Sequence, residues 1–216
     1  MPSAAERAAA ARLVLTMVTD RRRLAPGTLP ARAAEAARAG VDLVQVREKD
    51  LSDRALRDLV AAVCAAVAGT AARVLVNGRP DVALAGGAHG VQLPEEGLAV
   101  AEVRRAFPTL ALGASCHSLD GVRRAADEGA DFIVLGPIFP TPGKEERALG
   151  LEVLAAASAA VRVPVHAIGG VAPARAAAVR AAGARGAAAI RAFLEGPADA
   201  IIRAFRAAED RGAERT

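Results

Sequence analysis

The sequence predicts an α/β fold, a single (β/α)8 barrel with a short extra helix at the N-terminus. Three observations predict it. Short apolar runs alternate with alanine-rich helical segments eight times. The runs are apolar along nearly their whole length, as strands covered on both faces are, which implies a parallel sheet. The eight repeats fit within 216 residues, so one compact barrel domain over 1–216 accounts for the chain. A doubly wound open sheet would share the alternation, but its Gly-rich turn after the first strand is missing. Thr19-Asp20-Arg21-Arg22-Arg23 stands there instead.

Taken in order, Met1–Arg12 sets Glu6, Arg7 and Arg12 among alanines and reads as a short helix, not a secretory signal. The first strand, Leu13–Val18, precedes a helix near Pro30–Ala39 that Gly40 closes. Leu43–Val46 is the second strand, and Ser52 is an N-cap for a helix to Ala68. Strands Arg73–Val76 and Gly90–Leu93 flank a helix at Pro80–Ala85, and a further helix spans Ala99–Ala106. Ala111–Ser115 leads into Leu119–Glu128, which Gly129 ends, and Phe132–Leu135 follows. A helix at Leu151–Ala159 precedes the strand Val163–Ile168. Pro173 then sits in the first turn of a helix that Gly183 ends. Ala187–Ile190 and a helix at Pro197–Ala208 complete the pattern.

Composition excludes several classes. The net charge of +4 comes from arginines scattered among Asp and Glu, without a basic block or aromatic interleaving, so a nucleic-acid surface is not expected. No apolar run reaches the ~20 residues of a membrane span. Nothing addresses the chain elsewhere, so the cytoplasm is the expected compartment. Cys64 and Cys116 show no metal spacing. A homodimer remains open.

The bias toward Ala and Arg makes other polar types informative. Lys49 and Lys144 are the only lysines, Asn77 the only asparagine, and Gln45 and Gln92 the only glutamines. Gln45, Arg47 and Lys49 alternate at the end of the second strand, so period-two spacing sends all three to one side. An amide, a guanidinium and an ammonium aimed at one point suit an anionic, oxygen-rich ligand. Asn77 ends the third strand, Gln92 lies in the fourth, and Ser115 and His117 end the fifth. In a barrel these positions share the C-terminal face, where active sites of this fold lie.

Three further segments join them. After the seventh strand, Gly169-Gly170 lets backbone N–H groups approach an anion with no Cβ in the way. Arg191 follows the eighth strand, and the loops after strands seven and eight are the usual phosphate seat of such barrels. The Pro- and Gly-rich loop from Gly136 to Arg147 carries Thr141 and Lys144 and reads as a lid over an anion, or else a solvated connector. His117 is the acid/base candidate. Cys116 would point away from it on extended backbone, which argues against a Cys–His nucleophilic pair. His166 reads as packed within its strand and His89 as a surface residue.

These stretches together resemble the thiamine phosphate synthase/TenI superfamily along nearly the whole chain. The matching pieces include Gln45-Val-Arg-Glu-Lys49, Val76-Asn77-Gly-Arg-Pro-Asp-Val-Ala-Leu84, Gly90-Val-Gln-Leu-Pro94 and Gly113-Ala-Ser-Cys-His117. Gly129-Ala-Asp-Phe-Ile-Val-Leu-Gly-Pro-Ile-Phe-Pro-Thr141 and Ala167-Ile-Gly-Gly170 continue the match. Synthases of this superfamily join hydroxymethylpyrimidine, carried as its diphosphate, to thiazole phosphate, with Mg²⁺ on the departing diphosphate. Their two metal-binding aspartates fall here on Gly78 and Gly97, and their fourth-strand histidine on Gln92. Glu95, Glu96 and Asp81 are the nearby carboxylates available to substitute.

The Asn-Gly-Arg and Val-Gln-Leu-Pro forms resemble instead the TenI branch, thiazole tautomerases that aromatise a thiazole carboxylate phosphate by proton transfer without a metal. The resemblance therefore implies an isomerase of thiamine biosynthesis with no cofactor and a small phosphorylated thiazole as its ligand. It makes His117 the acid/base group. Gln45, Arg47, Lys49, Asn77, Gln92, Ser115, Thr141 and Lys144 would contact substrate, and Gly169, Gly170 and Arg191 its phosphate. The family carries Ser where Arg191 stands. The alternatives are a Mg²⁺-using synthase and a non-catalytic relative that binds a phosphorylated ligand.

Overall fold

The structure, a computed structural model, describes residues 12–141 and 145–213, so the expected helix before Arg12 and the residue Lys144 lie outside it. Eight parallel strands close into one barrel in chain order: β1 (Val14–Val18), β2 (Leu43–Val46), β3 (Arg73–Asn77), β4 (Gly90–Leu93), β5 (Ala111–Cys116), β6 (Phe132–Leu135), β7 (Val165–Ile168) and β8 (Gly186–Ala189). Closure is made by β1 against β8, where Leu15 pairs with Ala187 and Thr16 with Ala188. Around it lie α1 (Leu29–Ala39), α2 (Asp53–Val67), α3 (Pro80–Ala85), α4 (Val100–Ala106), α5 (Leu119–Asp127) and α6 (Gly150–Ala160). The ring continues with α7 (Ala176–Ala181), α8 (Arg191–Leu194) and α9 (Ala198–Ala213).

Period-two burial explains the architecture. Leu15 and Met17, Val44 and Val46, Val74 and Val76, Val91 and Leu93 all join the apolar layer shared with the helices. The alternate residues face the barrel interior. There Leu75, Phe132 and Val134 pack with Leu43 and Ile168. His166 stacks on Phe132 with ring centroids 5.1 Å apart. Gly113 and Gly186 make room for those rings: a Cβ at 113 would lie 2.3 Å from Phe132, and one at 186 would lie 2.4 Å from His166. Burial pushes the His166 imidazole down to about 4, so it is neutral within the barrel.

Several boundaries differ from the sequence expectation. β7 starts at Val165 because Pro164 has no N–H to give the ladder, although its carbonyl accepts the Ile133 N–H at 2.9 Å. β8 ends at Ala189, since Ile190 already turns into α8. The helix expected from Pro173 is a 3-10 turn, Pro173–Arg175, before α7. Helix starts follow their caps: Ser52 accepts the Ala55 N–H and Ser118 the Gly121 N–H.

Side-chain contacts hold the last helices in place. Buried Glu209 accepts the Leu13 N–H at 2.6 Å and pairs with Arg206 at 2.9 Å. Phe193 of α8 stacks on Phe205 of α9 at 5.7 Å, worth ~1 kcal/mol beyond the area buried. Arg32 of α1 donates to the Phe193 and Gly196 carbonyls, tying the loop after β8 to the opposite end of the chain.

Candidate functional site

At the C-terminal ends of the strands the barrel opens into a cavity of about 610 Å³. Gln45 on β2, Arg47 just past its end and Lys49 in the turn that follows all line it. Gln45 is buried, Arg47 half-buried and Lys49 exposed, so the trio descends from rim to floor. Neither Arg47 nor Lys49 has an acidic partner among the described ion pairs.

The even-numbered residue in the same stretch does a different job. Glu48 is 5 % exposed and turns away from the trio toward β1. Its Oε1 accepts the Thr19 hydroxyl at 2.6 Å and the Arg21 N–H at 3.0 Å. Its Oε2 takes the Arg21 guanidinium at 3.1 Å. Thr19 Oγ1 in turn accepts the Arg47 N–H at 2.9 Å. Glu48 thus fixes the backbone that aims Arg47, a role the sequence reading missed. Its signal was there: a charged residue off-phase from three cavity-facing ones has to satisfy itself on the other side. Arg21 also forks onto Asp50, which holds that carboxyl down at about 2.

Asn77 and Ser115 line the cavity as expected. Gln92 lies below the lining. It is 1 % exposed and donates from Nε2 to Ser115 Oγ at 2.9 Å, so it positions Ser115.

His117 lines the cavity where β5 gives way to α5. Its backbone N–H donates to Glu95 Oε2 at 2.9 Å, and its Nδ1 bonds the Gly136 carbonyl. A carbonyl only accepts, so Nδ1 carries the proton and Nε2 is the nitrogen left for a ligand. Burial pushes the neighbouring Cys116 thiol up to about 12, which removes it as a nucleophile. His89 accepts the Val74 N–H at the other end of the barrel.

Gly169 and Gly170 hold φ of +90° and +64°. A Cβ on Gly169 would sit 2.4 Å from Pro137, and one on Gly170 would sit 2.8 Å from Phe139. Only glycine fits both conditions. The N–H groups of Gly169 and Gly170 donate to no protein acceptor among the described residues, and both glycines line the cavity. Arg191 lines the same wall, exposed and without an acidic partner among the described ion pairs, whereas nearby Arg23 is held by Asp20 and Glu195.

The segment after β6 is anchored in its first half, and residues 142–144 of the expected lid or connector, Lys144 among them, lie outside the described residues. Ile138 and Phe139 donate to the carbonyls of Ile168 and Gly169 at 2.8 and 3.0 Å, so its first half is tied to the turn after β7. Arg175 stacks over Phe139 at 4.3 Å and donates to the Gly170 carbonyl at 2.7 Å, fastening the diglycine turn from outside. Thr141 beyond it lines the cavity.

A closed parallel barrel whose strand-end cavity is lined by cations and a diglycine turn is a (β/α)8 protein. More particularly, the chain belongs to the thiamine monophosphate synthase family, whose model matches residues 15–193. It is 42 % identical over 175 residues to the thiamine-phosphate synthase of Methanoculleus marisnigri, covering 79 % of this chain and 83 % of that one. It is 39 % identical over 173 residues to the thiamine-phosphate synthase of Moorella thermoacetica, covering 79 % and 82 %. The solved thiamine phosphate pyrophosphorylase from Pyrococcus furiosus superposes with a TM-score of 0.83 at 31 % identity, covering 93 % of this chain and 96 % of that one.

These relatives correct the expected chemistry. They are named for a synthase reaction, a group transfer, and this overturns the reading as a thiazole tautomerase and an isomerase. The superfamily and the barrel stand. Gly78, Gln92 and Gly97, which pointed toward the TenI branch, do not decide the reaction.

The Mg²⁺ associated with synthases finds a poor donor set here. Among the described residues no three His, Cys, Asp or Glu side chains group together. Gly78 and Gly97 offer no side chain at the positions of the family's two aspartates. Asp81 is held bidentate by Arg79, which also takes Asp53. Of the substitutes, Glu95 alone lines the cavity, and it is already engaged with the His117 N–H and, at 3.6 Å, with Arg124. A conventional carboxylate-held Mg²⁺ site does not fit these residues.

Proposed function

We propose that this chain is a transferase of the thiamine-phosphate synthase type. It moves the hydroxymethylpyrimidine unit from its diphosphate onto thiazole phosphate and releases diphosphate. The observation that carries this reading is the presence of two anion-receiving walls in one cavity. Arg47 and Lys49 stand on the β2 side, and the N–H groups of Gly169 and Gly170, without an acceptor among the described residues, stand with Arg191 after β7 and β8. A reaction between two phosphorylated substrates needs two such walls, and a cavity of about 610 Å³ is roomy enough for both ligands.

In the transfer, the bond between the pyrimidine unit and its diphosphate breaks while the bond to the thiazole forms. Negative charge grows on the departing oxygen. Arg47 and Lys49 are placed to stabilise that charge, and Glu48 holds the strand end so that little reorganisation is required. The diglycine turn and Arg191 hold the thiazole phosphate so that the ring faces the breaking bond. His117, fixed by the Gly136 carbonyl as the Nδ1–H tautomer, offers Nε2 to a ligand between the walls.

The test is to offer purified protein the two substrate sets in parallel. Thiamine phosphate formed with one diphosphate released per product supports the transferase. Binding of both ligands without turnover refutes it.

A further inference from the structure

We infer that the β2 wall holds diphosphate through fixed side-chain cations and needs no protein-bound divalent ion to do so. The inference rests on the transferase reading, because that reading supplies the diphosphate. A diphosphate leaving group must be neutralised, and a protein does this either with carboxylates that seat a metal or with cations of its own. Among the described residues two carboxylates line this cavity, Glu95 and Asp20. Glu95 receives the His117 N–H at 2.9 Å and faces Arg124 at 3.6 Å. Asp20 Oδ2 accepts from Arg23 Nε at 3.1 Å, and its Oδ1, which makes no hydrogen bond, lies 3.5 Å from Arg22 Nε. Guanidinium groups therefore flank both carboxylates, which opposes capture of a second cation.

The cations show the reverse pattern. Of the cations that line the cavity, Arg23 is held by Asp20 and Glu195, whereas Arg47, Lys49 and Arg191 have no acidic partner among the described ion pairs. Arg47 is also half-buried, with its backbone N–H anchored on Thr19 Oγ1. The charge that an acidic metal site would bring through its ion is here already part of the chain. A guanidinium just past β2 and an ammonium in the turn that follows, both lining the cavity, reach separate phosphoryl oxygens of the same ligand.

The test is calorimetric titration of the full chain with inorganic diphosphate, once in EDTA and once with excess Mg²⁺. The expected result is a dissociation constant in EDTA within about threefold of that in Mg²⁺. Arg47→Ala should weaken binding by about tenfold or more in both buffers, with a melting temperature confirming the fold. Binding that appears only with Mg²⁺ overturns the inference and leaves the transferase reading standing. Binding in neither buffer overturns the inference and removes the ligand on which that reading depends. Rescue of Arg47→Ala by Mg²⁺ also overturns it.

Discussion

Replacing Glu48 with Gln should loosen the active face without touching any residue that meets substrate. The Glu48 side chain is 2 % exposed, and its two oxygens serve the Thr19 hydroxyl, the Arg21 N–H and the Arg21 guanidinium. Gln keeps one acceptor oxygen but turns an NH2 toward the two Arg21 donors that Oε2 now receives at 3.2 and 3.1 Å. Charge-assisted bonds to a buried carboxylate are worth about 1.5–3 kcal/mol each, so the exchange should cost about 2–3 kcal/mol. For a chain of this size, each kcal/mol moves the melting temperature by about 2–4 °C, giving a drop of roughly 4–12 °C. The retained oxygen still accepts the Thr19 hydroxyl, but repulsion between the new NH2 and the Arg21 donors shifts the side chain under Thr19 and the Arg47 N–H it fixes, so diphosphate affinity should fall by about threefold or more. Thermal melts and calorimetry measure the two effects. A variant that melts within about 1 °C of the parent and binds diphosphate equally well refutes the positioning role.

Three other outcomes follow from the same structure. His166 is held neutral with its ionisation lowered from 6.5 to about 4, so the unfolded chain takes up a proton between those values that the folded chain does not. Stability should therefore fall by up to about 3 kcal/mol as the pH drops from 6.5 to 4, and His166→Phe should flatten that slope in denaturant titrations. Gly169→Ala must place a methyl 2.4 Å from Pro137 at a φ of +90°, which should cost about 2 kcal/mol or more and weaken binding of thiazole phosphate. Cys116, buried and pushed up to about 12, should resist a thiol reagent at pH 8, where its thiolate fraction is on the order of 10⁻⁴; rapid labelling of the folded protein at that position would contradict the burial.

The barrel was legible in the sequence because alternation carries it. Val44 and Val46 go to the helices, while Gln45 and Arg47 go to the cavity. The same rule located the wall made by Gln45, Arg47 and Lys49, and the diglycine declared its turn because few other sequences permit it. What stayed hidden depends on contacts between distant segments. Gln92 is a rare polar residue at a strand position, and only the register of β4 against β5 shows that it serves Ser115 from below. The loop after β6 looked free because sequence does not reveal that its N–H groups find the carbonyls at the end of β7. Glycines at 78 and 97 suggested a metal-free isomerase. The absence of two carboxylates constrains how charge is held, and it does not choose between a proton shift and a group transfer.

Formation of thiamine phosphate from hydroxymethylpyrimidine diphosphate and thiazole phosphate, followed by chromatography for the wild-type chain and Arg47→Ala side by side, tests the central claim most directly. The account predicts product with equimolar diphosphate from the wild type, and a rate at least about tenfold lower from a folded Arg47→Ala. Absence of product from the wild type, or an equal rate from the variant, would contradict it.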